Sequence, residues 1–169
     1  MTTKRQSVSD LLWAALLAVV LTAPPGTCSP QNPDFSGGWN LDNERSVHRS
    51  SGDIALHIDQ RDSEMTVETT IARGSAAPRH AVQRYTTGGV ASKSIGADGD
   101  EFYTSIAWSG QSLIFSIEEH EDGRIILSKE SWTLIENGAA LQRVREPADA
   151  SPDGAGKQTM IYLRQAPRT

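Results

Sequence analysis

The stretch EFYTSIAWSGQSLIFSI, residues 101–117, decides the fold. Side chains of an extended strand alternate between two faces, so Phe102, Thr104, Ile106 and Trp108 share one side and Tyr103, Ser105 and Ala107 the other. Ser109-Gly110 interrupts the run. Beyond it, Leu113, Phe115 and Ile117 resume the apolar side, opposite Ser112, Ile114 and Ser116. The pattern predicts a β-hairpin with one large apolar face and a tight glycine-containing turn. Two strands alone are marginal in water, so this face needs more sheet to cover it.

The chain on either side is able to supply that sheet. Upstream, Ile54, Leu56 and Ile58 alternate with Ala55, His57 and Asp59; after a polar turn, Met65, Val67, Thr69 and Ile71 alternate with Thr66, Glu68 and Thr70. This is a second half-buried hairpin, one face inward and one wet. Phe35, Trp39 and Leu41 open the folded part as a turn into a short strand, with Trp39 directed to the core. Residues 42–52 are polar and read as a loop with at most one helical turn. Residues 81–86 and 90–95 read as short strands on either side of Thr87-Gly88-Gly89.

Downstream, Asp122-Gly123 is a strong hairpin signal. The strand that follows, residues 125–135, has conflicting faces. Ile126, Trp132 and Leu134 share one parity, and Ile125, Leu127 and Ile135 share the other; a β-bulge near Ser128 would reconcile them. Asn137-Gly138 predicts another turn, residues 139–145 a returning strand, 146–157 a loop and 158–164 the closing strand.

These eight to ten short strands make an all-β domain, an antiparallel up-and-down meander over residues 34–165 with a tail at 166–169. Closing such a meander into a small β-barrel removes its exposed edges; a two-sheet β-sandwich is the alternative. The apolar hairpin faces suit a packed interior. An outer-membrane barrel would instead turn them to lipid around a polar lumen.

The N-terminus is a separate object. Lys4 and Arg5 precede an apolar run of 11 residues, Leu11 to Leu21, which leads to Thr22-Ala23 and Pro24-Pro25-Gly26. That is the layout of a secretory signal, and it falls short of the roughly 20 residues that cross a bilayer. Residues 1–28 are therefore expected to be a signal peptide or lipoprotein leader and 29–33 a short linker. The domain would be exported, to the periplasm or the medium. Cys28 is the single cysteine, which rules out an intramolecular disulfide; it stands where a lipoprotein carries its acylated residue, and lipidation there would tether the protein to a membrane. The preceding Pro25-Gly26-Thr27 departs from the usual lipoprotein pattern.

Three short motifs, Asp34-Phe35-Ser36-Gly37 with Trp39, Trp108 with Gly110 and Leu113, and Tyr162 with Arg164, resemble the DFSGxW, WxGxxL and YxR patterns of small exported bacterial lipocalin-like proteins. The resemblance spans roughly residues 32–164 and implies a small calyx-like barrel. By analogy with the G-x-W of lipocalins, it also implies that Trp39 and Arg164 stack at the closed end as structural residues. No long cup-closing helix is visible, and the resemblance carries no catalytic residues.

Composition narrows the function. With 16 Lys+Arg against 21 Asp+Glu the formal charge is -5, and no basic stripe interleaves with aromatics, so nucleic acid is not an expected partner. His48, His57, His80 and His120 are the only histidines, and none is paired at metal-ligand spacing. His120 lies among Glu118, Glu119, Glu121 and Asp122 and reads as a solvated hairpin tip. No serine sits in a G-x-S-x-G or beside a recognisable His and Asp. The expectation is thus no catalytic residue, metal or cofactor. It is a binding protein for a small apolar or amphipathic molecule, with Trp108, Trp132, Tyr103, Tyr85 and Arg84 as candidate ligand contacts. The competing reading is a filled-core interaction or structural module of the cell envelope, in which the tryptophans are packing residues.

Overall fold

A computed structural model of the chain describes residues 32–47, 50–95, 100–148 and 156–166, all within the compact unit Gln31–Thr169. The expected leader with Cys28, most of the linker, His48 and the last three residues lie outside the described residues. Ten strands follow one another: β1 (Gly37–Asp42), β2 (Asp53–Arg61), β3 (Glu64–Ala72), β4 (Arg79–Thr86), β5 (Ser92–Ile95), β6 (Glu101–Ser109), β7 (Ser112–Glu121), β8 (Arg124–Ile135), β9 (Ala140–Pro147) and β10 (Gln158–Arg164). They form a single antiparallel sheet in the order β4-β3-β2-β1-β10-β9-β8-β7-β6-β5.

The first and last strands pair with each other, Trp39 opposite Arg164 and Leu41 opposite Tyr162. This pairing joins the two halves of the meander and curls the sheet into a nearly closed barrel rather than a sandwich. The closure is incomplete at one seam. β4 and β5 are the two ends of the strand order, and one bridge, Gly88 opposite Ala107, spans the gap. Gly89 supports it by donating its N–H to the Ile106 carbonyl at 2.8 Å.

Turn chemistry sets the register. At Asp122-Gly123 both residues have positive φ, 48° and 75°, the conformation of a two-residue turn matched to strand twist. The expected Asn137-Gly138 turn is a short 3-10 turn, Glu136–Gly138. The loop after β1 holds the one expected helical turn, closed by the Ser46 N–H donating to the Asp42 carbonyl at 3.1 Å.

β8 contains no bulge. Its pairing with β7 runs without interruption from Ser112–Thr133 to Glu121–Arg124. One parity, Ser128, Glu130, Trp132 and Leu134, therefore faces inward throughout. The conflicting apolar residues Ile125 and Leu127 lie on the outside, 60% and 50% exposed. Regular ladder bonding outweighed the burial of two side chains near a strand end.

The two ends of the barrel differ. At one end the chain enters through Phe35, which sits under Trp39, Trp108 and Trp132. Phe35, Trp39, Leu113 and Leu141 are completely buried, and the Trp39 indole N–H donates to the Phe35 carbonyl at 2.9 Å. Ring contacts of Phe35 with Trp108 (6.0 Å) and Trp132 (6.4 Å) complete the plug. Towards the other end the inward residues lose their cover. β4 is exposed along both faces except at Tyr85, and Ile126 on the inner face of β8 is 39% exposed. The barrel is a cup with a packed base.

Candidate functional site

Above the base lies a cavity of about 190 Å³ between β3, β4 and β6–β9. The antiparallel register brings its lining together. Tyr85 faces inward opposite Met65, and Gln83 opposite Val67. Glu130 pairs with Phe115 on one side and with Arg145 on the other, while Trp132 pairs with Arg143. Five of the twelve lining residues are aromatic or aliphatic: Val67, Phe102, Phe115, Ile117 and Trp132. Phe115 stacks on Trp132 at 4.6 Å and meets Tyr85 edge-on at 5.7 Å.

The other seven carry polar groups and are built around a buried ion pair. Glu130 is 6% exposed and accepts from Arg143 Nε at 2.6 Å and from the indole N–H of Trp132. The Arg143 guanidinium lies between two rings, 4.6 Å from Trp132 and 5.5 Å from Tyr162, and donates to the Tyr162 hydroxyl at 3.4 Å. Arg145, one pleat on, reaches Glu119 at 3.7 Å and donates to Ser128 Oγ at 3.3 Å.

Burial alone would push the Glu130 carboxyl up. The Arg143 charge, its hydrogen bond and that of Trp132 outweigh it, and the pKa falls below the ordinary glutamate value. Burial likewise opposes the charge on Arg143, but Glu130 holds the guanidinium protonated and its pKa is raised. Tyr85 is pushed up to about 12, mainly by burial, with Arg143 and Glu130 acting in opposite directions. A carboxylate held ionised between two donors is a counter-ion. A general acid or base for neutral pH would need a raised pKa and a clear approach to a proton.

Not all the expected ligand contacts meet here. Trp132 and Tyr85 line the cavity. Trp108 faces inward but lies lower, packed against Phe35 in the base. Tyr103 and Arg84 are corrected, because both lie on the outer wall. Tyr103 pairs with Lys93 and Glu118, donates to Glu101 at 3.0 Å and borders a separate outer groove with Leu127. Arg84 pairs with Thr66 and is exposed beside the seam. Their parity is opposite to that of Thr104 and Tyr85, which places them outside once the inner face is fixed.

Arg164 lies at the base, its guanidinium 4.1 Å from the Trp39 ring. It donates to the carbonyls of Gly138 (2.8 Å), Ser36 (2.6 Å) and Asp34 (3.3 Å), tying the chain entry to the β8–β9 turn. His120 contacts Glu118 at 2.6 Å, and no group of three metal-ligating side chains is found among the described residues.

Glu130, Arg143 and Arg145 were not singled out from the sequence. Their signal is phase: Glu130 alternates in step with Trp132 and Leu134, and Arg143 and Arg145 with Leu141. Charged residues in an apolar phase mark a polar interior site, but the ambiguous faces of residues 125–135 hid it.

No protein-family model matches the chain, and no curated protein matches it by sequence. Solved structures do share its architecture. Secretory abundant heat soluble protein 4 from Ramazzottius varieornatus superposes with a TM-score of 0.62 at 11% identity, over 82% of this chain and 100% of that one. A REP1-NXSQ fatty acid transporter gives 0.56 at 14% identity, over 79% and 97%. Echinococcus granulosus fatty-acid-binding protein 1 gives 0.54 at 12% identity, over 78% and 98%. At these identities the likeness concerns the barrel fold.

Proposed function

We propose that the protein is a non-catalytic carrier that holds a small amphipathic molecule in the cup. The observation that carries this reading is the interior cavity, with one aromatic wall and one hydrogen-bonding wall. A filled-core module would continue the close packing of the base through the barrel. The fatty-acid transporter and fatty-acid-binding protein among the similar structures lend support from barrels described by their ligands. At about 190 Å³ the cavity is smaller than the roughly 300–1,000 Å³ that encloses a drug-sized ligand. It suits a small molecule, or the buried end of a longer one whose remainder extends towards the open rim.

The N-terminal sequence supports export of this carrier, to the periplasm or the medium, and Cys28 stands where a lipid tether to a membrane would attach. That part of the reading rests on the residues 1–28 pattern alone.

Native mass spectrometry of the full chain, purified without denaturation, tests the binding. A stoichiometric adduct that leaves on unfolding is expected. Thr104→Trp, which fills the cavity from an inward position on β6, should abolish it while circular dichroism stays that of the parent. An adduct that survives this substitution would remove the cup as the site.

A further inference from the structure

The interior charges are already answered from within the protein. Arg143 is held by Glu130 at 2.6 Å, and Arg145 is faced by Glu119 at 3.7 Å. Each cation at the cavity wall therefore has a carboxylate of the same chain beside it. The remaining polar lining, Tyr85, Gln83, Thr69 and Thr104, is neutral. Tyr85 keeps its proton to about pH 12 and so remains a neutral hydroxyl at any physiological pH.

From this we infer that the cup selects a ligand with an uncharged polar head, a hydroxyl or carbonyl, and excludes carboxylates, with Glu130 as the residue that sets the selection. The inference rests on the carrier reading and names the chemistry of its ligand. An anionic head placed at Arg143 would meet the buried carboxylate of Glu130, and like charges so close are unfavourable. Displacing Glu130 instead would strip a carboxylate of both its donors without returning it to water, which costs more than the new pair recovers. A neutral head meets neither barrier. It needs one hydrogen bond from the threonine, glutamine or tyrosine groups, while its chain packs on Phe115 and Trp132.

The inverse also follows. Glu130→Gln keeps the shape and an acceptor for the Trp132 indole but removes the negative charge. Arg143 is then left with an uncompensated charge facing the cavity, and the cup becomes an anion site.

Isothermal titration with 1-octanol and octanoate, matched in chain and different in head, reads this directly at pH 7. Wild-type protein should bind 1-octanol at least tenfold more tightly than octanoate. Glu130→Gln should tighten octanoate at least tenfold and so close or reverse the preference for 1-octanol. Equal or tighter binding of octanoate by the wild type, or octanoate affinity unmoved in a folded Glu130→Gln, would overturn the selection while leaving the carrier reading intact. Binding of neither probe by the wild type or the variant would overturn the carrier reading, and this inference with it. Should Glu130→Gln fail to fold, the wild-type head-group comparison decides alone.

Discussion

Phe35, Trp39, Leu113 and Leu141 at the base of the barrel are wholly removed from water. Along the same sheet, Gln83 on β4 stands open to it, and Ile126 is 39% exposed. Trp39, Leu113 and Leu141 obey the same inward alternation as Gln83 and Ile126, so periodicity does not separate them. What differs is what fills the space opposite. At the base, Phe35 enters from outside the sheet and is ringed by three tryptophans. Nothing among the described residues does the same at the rim. A strand's inner face becomes core only where another element reaches across to it; elsewhere it becomes the wall of a site.

This contrast is sharpest in stability. Trp39→Ala should cost about 3–5 kcal/mol in urea unfolding, from the loss of a fully buried ring together with its bond to Phe35 and the stacked Arg164. A loss under about 1 kcal/mol would mean that the base is not the stabilising half.

Glu130→Ala should cost roughly 3 kcal/mol, because it leaves the Arg143 charge without its partner. Replacing both, with Glu130→Leu and Arg143→Met, should recover most of that, since apolar residues of similar volume replace buried pairs well. Such a recovery would mark the pair as kept for binding rather than for folding. A double variant as unstable as the single would assign the pair to the scaffold instead.

Acid adds a smaller effect. The folded pKa of Glu130 lies below its unfolded value, so its contribution is complete above the ordinary glutamate pKa of about 4.3. That contribution is lost as pH falls through the lower folded value. Unfolding free energy should therefore decline more steeply below about pH 4.3 in the wild type than in the Leu/Met double variant. Parallel pH profiles would show that other carboxylates dominate the loss.

The smallest effect belongs to the cup wall. Gln83→Ala should change stability by less than about 0.5 kcal/mol, as exposed positions do, while weakening binding of a hydroxyl-headed probe. A base-sized loss of stability there would erase the distinction between the two ends.

The base was the more legible end in the sequence. Trp39, Leu113 and Ile106 announce themselves by alternation and size, and Asp122-Gly123 reveals a turn by its own conformational needs. The barrel followed from strand number and the absence of helical period. The cup was harder to read because its chemistry sits on charged residues in apolar phase. Phase can be read only when a strand's register is certain. In β8 the exposed Ile125 and Leu127 imitate a second buried face, so the sequence leaves the phase of Glu130 undecided. The pairing of β1 with β10, more than 100 residues apart, likewise has no local signal. It is needed before inward and outward acquire meaning for Tyr103 and Arg84.

The unpaired seam between β4 and β5 has a consequence for behaviour in a crowded solution. Two strand margins with unmatched backbone groups invite the strand of another molecule, the first step towards intermolecular sheet growth. The margins are poor templates for it. β5 has four residues, and β4 follows Pro78 and carries Arg79, His80 and Arg84 on a strand exposed nearly throughout. A second copy pairing through β4 would bring the basic residues Arg79 and Arg84 of both strands together. The opening that gives the cup its hollow wall is thus guarded against self-association by the same basic strand that lines it.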